Sequence, residues 1–157
     1  MAFDAVVLRR NELWPTHDQA SAAAPNTPTE ITQDHFVVRD GQTYAGTHVI
    51  IDLWGAQHLD QLERMEAAFR DVIETCGATL LHIHLHHFTP NDGISGVAVL
   101  AESHISVHTW PERDFAAFDV FMCGDARPEL AADVLARHFM PERVDVRELR
   151  RGIVMGE

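Results

Sequence analysis

Between Thr79 and Met122 the chain carries four strand-like runs with almost nothing between them: Thr79–Phe88, Val97–Ala101, Ile105–Trp110 and Phe115–Met122. The first link holds the turn sequence Thr89–Gly93, TPNDG. The next two links are only three and four residues long. A parallel connection needs a crossover of about a dozen residues or more. Neighbouring strands in this block must therefore run antiparallel, and that restricts the fold more than any other feature.

The flanks supply the rest of the fold. Thr47–Trp54 reads as a buried strand. Leu59, Leu62, Met65, Phe69, Val72, Ile73 and Cys76 recur at three- and four-residue steps, an amphipathic helix that Gly77 ends. Asp125 and Pro128 open a second helix, with Leu130, Val134, Leu135, His138 and Phe139 on one stripe and Pro141 as its stop. Arg143–Leu149 makes a last strand. The order β-α-β-β-β-β-α-β implies an α+β domain, a mostly antiparallel sheet with two helices on one face. No internal repeat is present.

Composition divides the chain near Gly46. Residues 1–45 are expected to be a flexible N-terminal extension, because Pro15–Thr29 is rich in Ala, Pro, Thr and Asn without apolar period. A short strand at Phe36–Arg39 is possible within it. Residues 46–157 form the domain. The net charge of -12 argues against nucleic acid, which needs a basic face. No apolar run approaches the roughly 20 residues of a membrane span, and Met1–Arg10 lacks signal-peptide order. The expectation is a cytoplasmic protein without membrane or nucleic-acid partners. The two cysteines, Cys76 and Cys123, make no disulfide framework. Cys76 lies on the helix stripe and reads as core.

The segment Gly93–Gly124 reads GISGVAVLAESHISVHTWPERDFAAFDVFMCG. Glu102-Ser103-His104, then alternating apolar residues, then His108-Thr109-Trp110-Pro111-Glu112, with Cys123 twenty residues after Ser103, closely resembles the prokaryotic-type S-adenosylmethionine decarboxylase proenzymes. The likeness runs from about Gly46 to Gly152. One departure is the turn before Ser95, which carries Asn91-Asp92 where the family often has one residue. The chemistry suits these residue types. The Ser103 hydroxyl can attack the carbonyl of Glu102 and convert the amide to an ester. Loss of the Ser103 α-proton then expels the Glu102 carboxylate, and hydrolysis leaves a pyruvoyl group. That ketone forms a Schiff base with a substrate amine and acts as an electron sink for decarboxylation.

The resemblance implies a zymogen that splits itself into residues 1–102 and 103–157 and needs no other cofactor. It gives His108 as the base for the α-proton, Ser95 as a processing residue and Cys123 as proton donor to the product. It gives Phe88 and Glu112 as the groups that bind adenine and ribose. The implied product is the aminopropyl donor of polyamine (spermidine) biosynthesis. The implied assembly is a homodimer whose sheets pack as an α/β/β/α sandwich. Spacing points the same way. Ser95 and Ser103 are eight residues apart, roughly 26 Å when extended. Ser103 and His108 differ by an odd number and face opposite sides of one strand. The run Val97–Ala101 has neither Gly nor Pro to fold it back. Ser103 and Cys123 of one subunit are therefore expected to meet Phe88, Ser95, His108 and Glu112 of another.

Two other readings use the same residues. One is a pyruvoyl decarboxylase of arginine or ornithine. The other is a non-processing binding or regulatory relative, or a metal protein built on His82, His84 and His86, which share a strand face. A polar or interface-facing strand is the plainer reading of that stripe, and no metal is assigned.

Overall fold

The computed structural model describes residues 35–154. The linker expected at Pro15–Thr29 lies outside them. The first described elements are two short strands, β1 (Val37–Arg39) and β2 (Gln42–Tyr44), paired as a hairpin. Only the first was anticipated. Tyr44 is fully buried, so ordered structure continues upstream of Gly46.

Among the described residues the main sheet has six strands: β3 (Gly46–Trp54), β4 (Leu80–His87), β5 (Ile94–Leu100), β6 (Ser103–Trp110), β7 (Phe115–Met122) and β8 (Arg143–Arg151). Their order is β4-β5-β6-β7-β3-β8 and every pair is antiparallel. Helix α1 (Leu62–Cys76) carries the chain from β3 to the far edge at β4, and α2 (Ala131–Phe139) carries it from β7 over β3 to β8.

Both helices cover one face. Val49, Ile51, Leu53, Ala98, Ile105, Val107, Phe118 and Val120 point into it and meet Met65, Phe69, Val72, Leu135 and Phe139. Phe118 sits between the layers, its ring 6.5 Å from Phe69 and 5.9 Å from Phe139. Deleting such a ring typically costs about 3–5 kcal/mol. Cys76 lies in this core. Burial, then the Glu129 charge, push its thiol up to about 11, against a smaller opposing effect of Arg127.

Boundaries shift from the sequence reading for local reasons. Helix α1 starts at Leu62, while Leu59 stays in the preceding loop, buried, with its carbonyl accepting the Thr109 hydroxyl at 3.0 Å. Pro128–Leu130 is a 3-10 turn ahead of α2, and Met140 in the left-handed region (φ 45°) ends that helix one residue before Pro141. Strand β6 begins at Ser103, so the link after β5 shrinks to Ala101-Glu102.

Among the described residues no helix lies on the opposite face of the sheet. Trp54, Val99, Trp110 and Leu149 are each about 40–50% exposed there. Around them stand His48, His104, Ser106, His108 and Asp119. Exposed apolar side chains interleaved with imidazoles make this face unlike an ordinary solvated one.

Candidate active site

Strands β5 and β6 pair without a bulge from Ser95↔His108 to Leu100↔Ser103. The sequence-predicted residues gather at the two ends of this hairpin. At the turn end, Glu102 has φ 58°. A side chain in the left-handed region costs roughly 1–2 kcal/mol, so the surroundings must hold it there. Ser103 follows at 9% exposure. Pairing of His104 with Phe121 brings the end of β7 alongside, and Cys123 comes one residue after that strand.

Cys123 touches both partners of the Glu102–Ser103 bond. Its backbone N–H donates to Ser103 Oγ at 3.3 Å, and its Sγ lies 3.7 Å from that oxygen. The thiol also donates to the Glu102 carbonyl oxygen at 3.3 Å. A donor on that oxygen favours attack on the carbonyl carbon, because charge builds on the oxygen as the new bond forms.

The other end holds Phe88, Ser95, His108 and Glu112. Ser95 Oγ and His108 Nδ1 are 2.8 Å apart. Thr109, buried next to His108, accepts the Ile94 N–H at 2.8 Å and so pins the start of β5. Gly93 lets the chain come this close, since a Cβ there would stand 2.9 Å from the Thr109 carbonyl oxygen. Glu112 sits on the 3-10 turn Pro111–Arg113. Together with Asn91 and Trp110 these residues line a cleft of about 210 Å³. Small-molecule pockets usually enclose at least about 300 Å³, so this is part of a site.

Within one chain the two groups do not meet. Ser103 and His108 are five residue steps apart on β6, roughly 16 Å along the strand. Ser103 faces the helix side with Ile105 and Val107, and His108 faces the open side. Sequence reading missed Trp110 as a cleft residue, although its spacing of two from His108 puts both on one face. Trp110 stacks on Phe115 at 5.3 Å, which fixes its ring. It also missed the open-face network in which His48 Nε2 lies 3.0 Å from Asp119 and Ser106 donates to the same carboxylate at 3.4 Å.

His82, His84 and His86 are exposed along edge strand β4. Among the described residues no three His, Cys, Asp or Glu side chains are grouped to hold a metal ion. A groove of about 630 Å³ between the helices is lined by Gln61, Arg64 and His138. It lies away from both clusters, and His138 is committed to Asp71 at 2.7 Å. Among the described residues no helix is long and apolar enough to cross a membrane.

Fold and site define an α+β protein that gathers the candidate side chains at the two ends of one hairpin, with both described helices on one sheet face. The family model described as S-adenosylmethionine decarboxylase matches residues 47–152. The chain belongs to that family. It is 45% identical over 111 residues to an S-adenosylmethionine decarboxylase proenzyme of Thermomicrobium roseum, covering 70% of this chain and 96% of the relative. A proenzyme of the same name from Methanococcus maripaludis is 44% identical over 112 residues, 69% of this chain and 91% of its own. The crystal structure of the adenosylmethionine decarboxylase from Aquifex aeolicus superposes with a TM-score of 0.63 at 34% identity, covering 71% of this chain and 94% of that one.

Proposed function

We propose that this chain is a proenzyme that splits itself between Glu102 and Ser103 and then decarboxylates S-adenosylmethionine, supplying the aminopropyl donor for polyamine synthesis. The observation that carries the reading is the Cys123 thiol on the Glu102 carbonyl, with Ser103 Oγ beside it. In the cleavage, Ser103 Oγ bonds to the Glu102 carbonyl carbon and the C–N bond breaks, leaving an ester and a free amine. A base removes the Ser103 α-proton, a Cα=Cβ double bond forms as the Ser103 Cβ–Oγ bond breaks, and Glu102 leaves as a carboxylate. Water then releases ammonia from the dehydroalanine and leaves a pyruvoyl group at residue 103. That group would supply an electron sink for the carboxylate carbon's departing bond.

The chain's own residues do the rest. His108, held by Ser95, is the base for the α-proton. Cys123 stands where it can return a proton to the product. Phe88 offers a ring to adenine and Glu112 a carboxylate to the ribose diol. His108 reaches Ser103 only from a second copy, so the working unit in this reading is a homodimer with two shared sites. The sheet face that no described helix covers, with its exposed Trp54, Val99, Trp110 and Leu149, supports that pairing. No observation favours arginine or ornithine as substrate.

The test is denaturing mass spectrometry together with carbon dioxide release from carboxyl-labelled S-adenosylmethionine. The purified protein should show two chains, 1–102 and 103–157. Ser103→Ala should stay whole and release nothing. Full activity from an unsplit chain, or release from arginine or ornithine alone, would overturn the reading.

A further inference from the structure

The family match begins at residue 47, and the Thermomicrobium relative has only about 4% of its length left unaligned, against 30% of this chain. A segment precedes the region that the family model matches here. The last part of this segment, from His35 on, is docked firmly. Tyr44 is fully buried beneath Arg150, whose guanidinium lies 5.2 Å from the ring centroid. Arg150 also bonds Asp40 at 2.6 Å and Gln42 at 2.7 Å. The Thr43 carbonyl accepts Val154 N–H at 2.8 Å. These contacts bind the β1–β2 hairpin to the carboxyl end of β8.

The residue ahead of that hairpin arrives at the reactive turn. The His35 carbonyl accepts the Gly124 N–H at 2.9 Å, directly after Cys123. Its Nε2 lies 3.5 Å from Glu102 Oε1. We infer that His35 is a positioning residue for self-cleavage, tying Glu102 to the Cys123-Gly124 turn so that the Glu102 carbonyl stays on the thiol. The inference rests on the cleavage reading above and deepens it.

The physics calls for such a tie. Glu102 and Gly124 both hold φ near 58°; a glutamate needs its neighbours to stay there, whereas glycine takes this and other conformations freely. Gly124, lacking a side chain, could swing away and take Cys123 with it. His35 touches one residue on each side of the reacting atoms. Both members of the His35–Glu102 pair are more than half exposed, at 55% and 59%. Its energy is accordingly small, so it acts as a geometric restraint, with a modest effect on rate.

The experiment follows chain splitting after a labelled pulse of cell-free synthesis. His35→Ala should split about 2- to 5-fold more slowly than wild type, the range expected for losing one weak, exposed polar contact. His35→Gln, which keeps an N–H donor, should recover most of the rate. Glu102→Ala should itself be slow, and adding His35→Ala to it should change nothing further. Equal rates in wild type and His35→Ala would overturn the inference. Equal slowing by His35→Ala with and without Glu102 would do the same, since the histidine would then act elsewhere. A wild-type chain that never splits, with Ser103→Ala indistinguishable from it, would instead remove the cleavage reading and this inference with it.

Discussion

The two ends of the β5–β6 hairpin are built in opposite ways. At Ser103 the contacts are short and close to the backbone: a strained glutamate, a hydroxyl at 9% exposure and a thiol on a carbonyl. At His108 the arrangement is an open cleft of rings and a carboxylate, with one imidazole steadied by a serine. The first end suits a reaction of the chain on itself, where nothing need enter. The second suits a ligand that must arrive and leave. Regular antiparallel pairing keeps the two about one strand length apart, because no bulge shortens the register. In the proposed reading a second copy brings them together.

Mixing inactive parents would break that comparison most forcefully. Ser103→Ala and His108→Ala should each be inactive as pure proteins. Co-expressed, about half of randomly assembled dimers should be mixed. Each mixed dimer contains one site with intact Ser103 and intact His108, so splitting of the His108→Ala chain should partly recover. Absence of recovery in dimers proven to be mixed would mean that each chain completes its own site, and the separation seen along β6 would have no functional meaning.

A smaller effect sharpens the contrast between the ends. Glu112→Gln and Phe88→Ala alter only the cleft. Each should weaken S-adenosylmethionine use by about 1–3 kcal/mol in kcat/KM. Splitting at Glu102–Ser103 should continue in both variants. Loss of splitting together with turnover would show that the cleft end also governs the self-reaction.

Much of this was legible from the sequence because it is written in local signals. Short links forced antiparallel neighbours, the Leu59–Cys76 spacing gave α1, and parity separated Ser103 from His108. What escaped depends on tertiary contact. The start of β6 at Ser103 needs pairing with Leu100, which no local propensity announces. The β1–β2 hairpin follows a stretch rich in Ala and Pro in the sequence, and residues distant in sequence, Arg150 and Val154, hold it down. Thr109 looks like one more strand residue until its hydroxyl is seen to bridge Leu59 and Ile94. His35 carries no motif at all, and its position beside Glu102 follows from the docking of that hairpin.

The smallest expected effect concerns the open face between the two ends. His104 stacks on Phe121 at 5.7 Å and lies 6.4 Å from His48. Its pKa is lowered below the usual 6.5, first by desolvation and second by the His48 charge, while Asp119 acts in the opposite direction. Arg151 adds a further cation, 3.2 Å from His48. A lowered histidine pKa means that the unfolded chain binds this proton more tightly than the folded one. Stability should therefore fall as pH drops through 6.5, and stop falling below the folded-state value. His104 is partly exposed, so the slope is shallow in a single chain. His104→Gln should flatten it, as measured by urea midpoints at pH 7.5 and pH 5. If a second copy covers this face, burial deepens and acid should also weaken the dimer. The difference between wild type and His104→Gln should then grow at protein concentrations where dimers dominate. A difference that is independent of concentration would argue that the face stays open, and would count against the shared site.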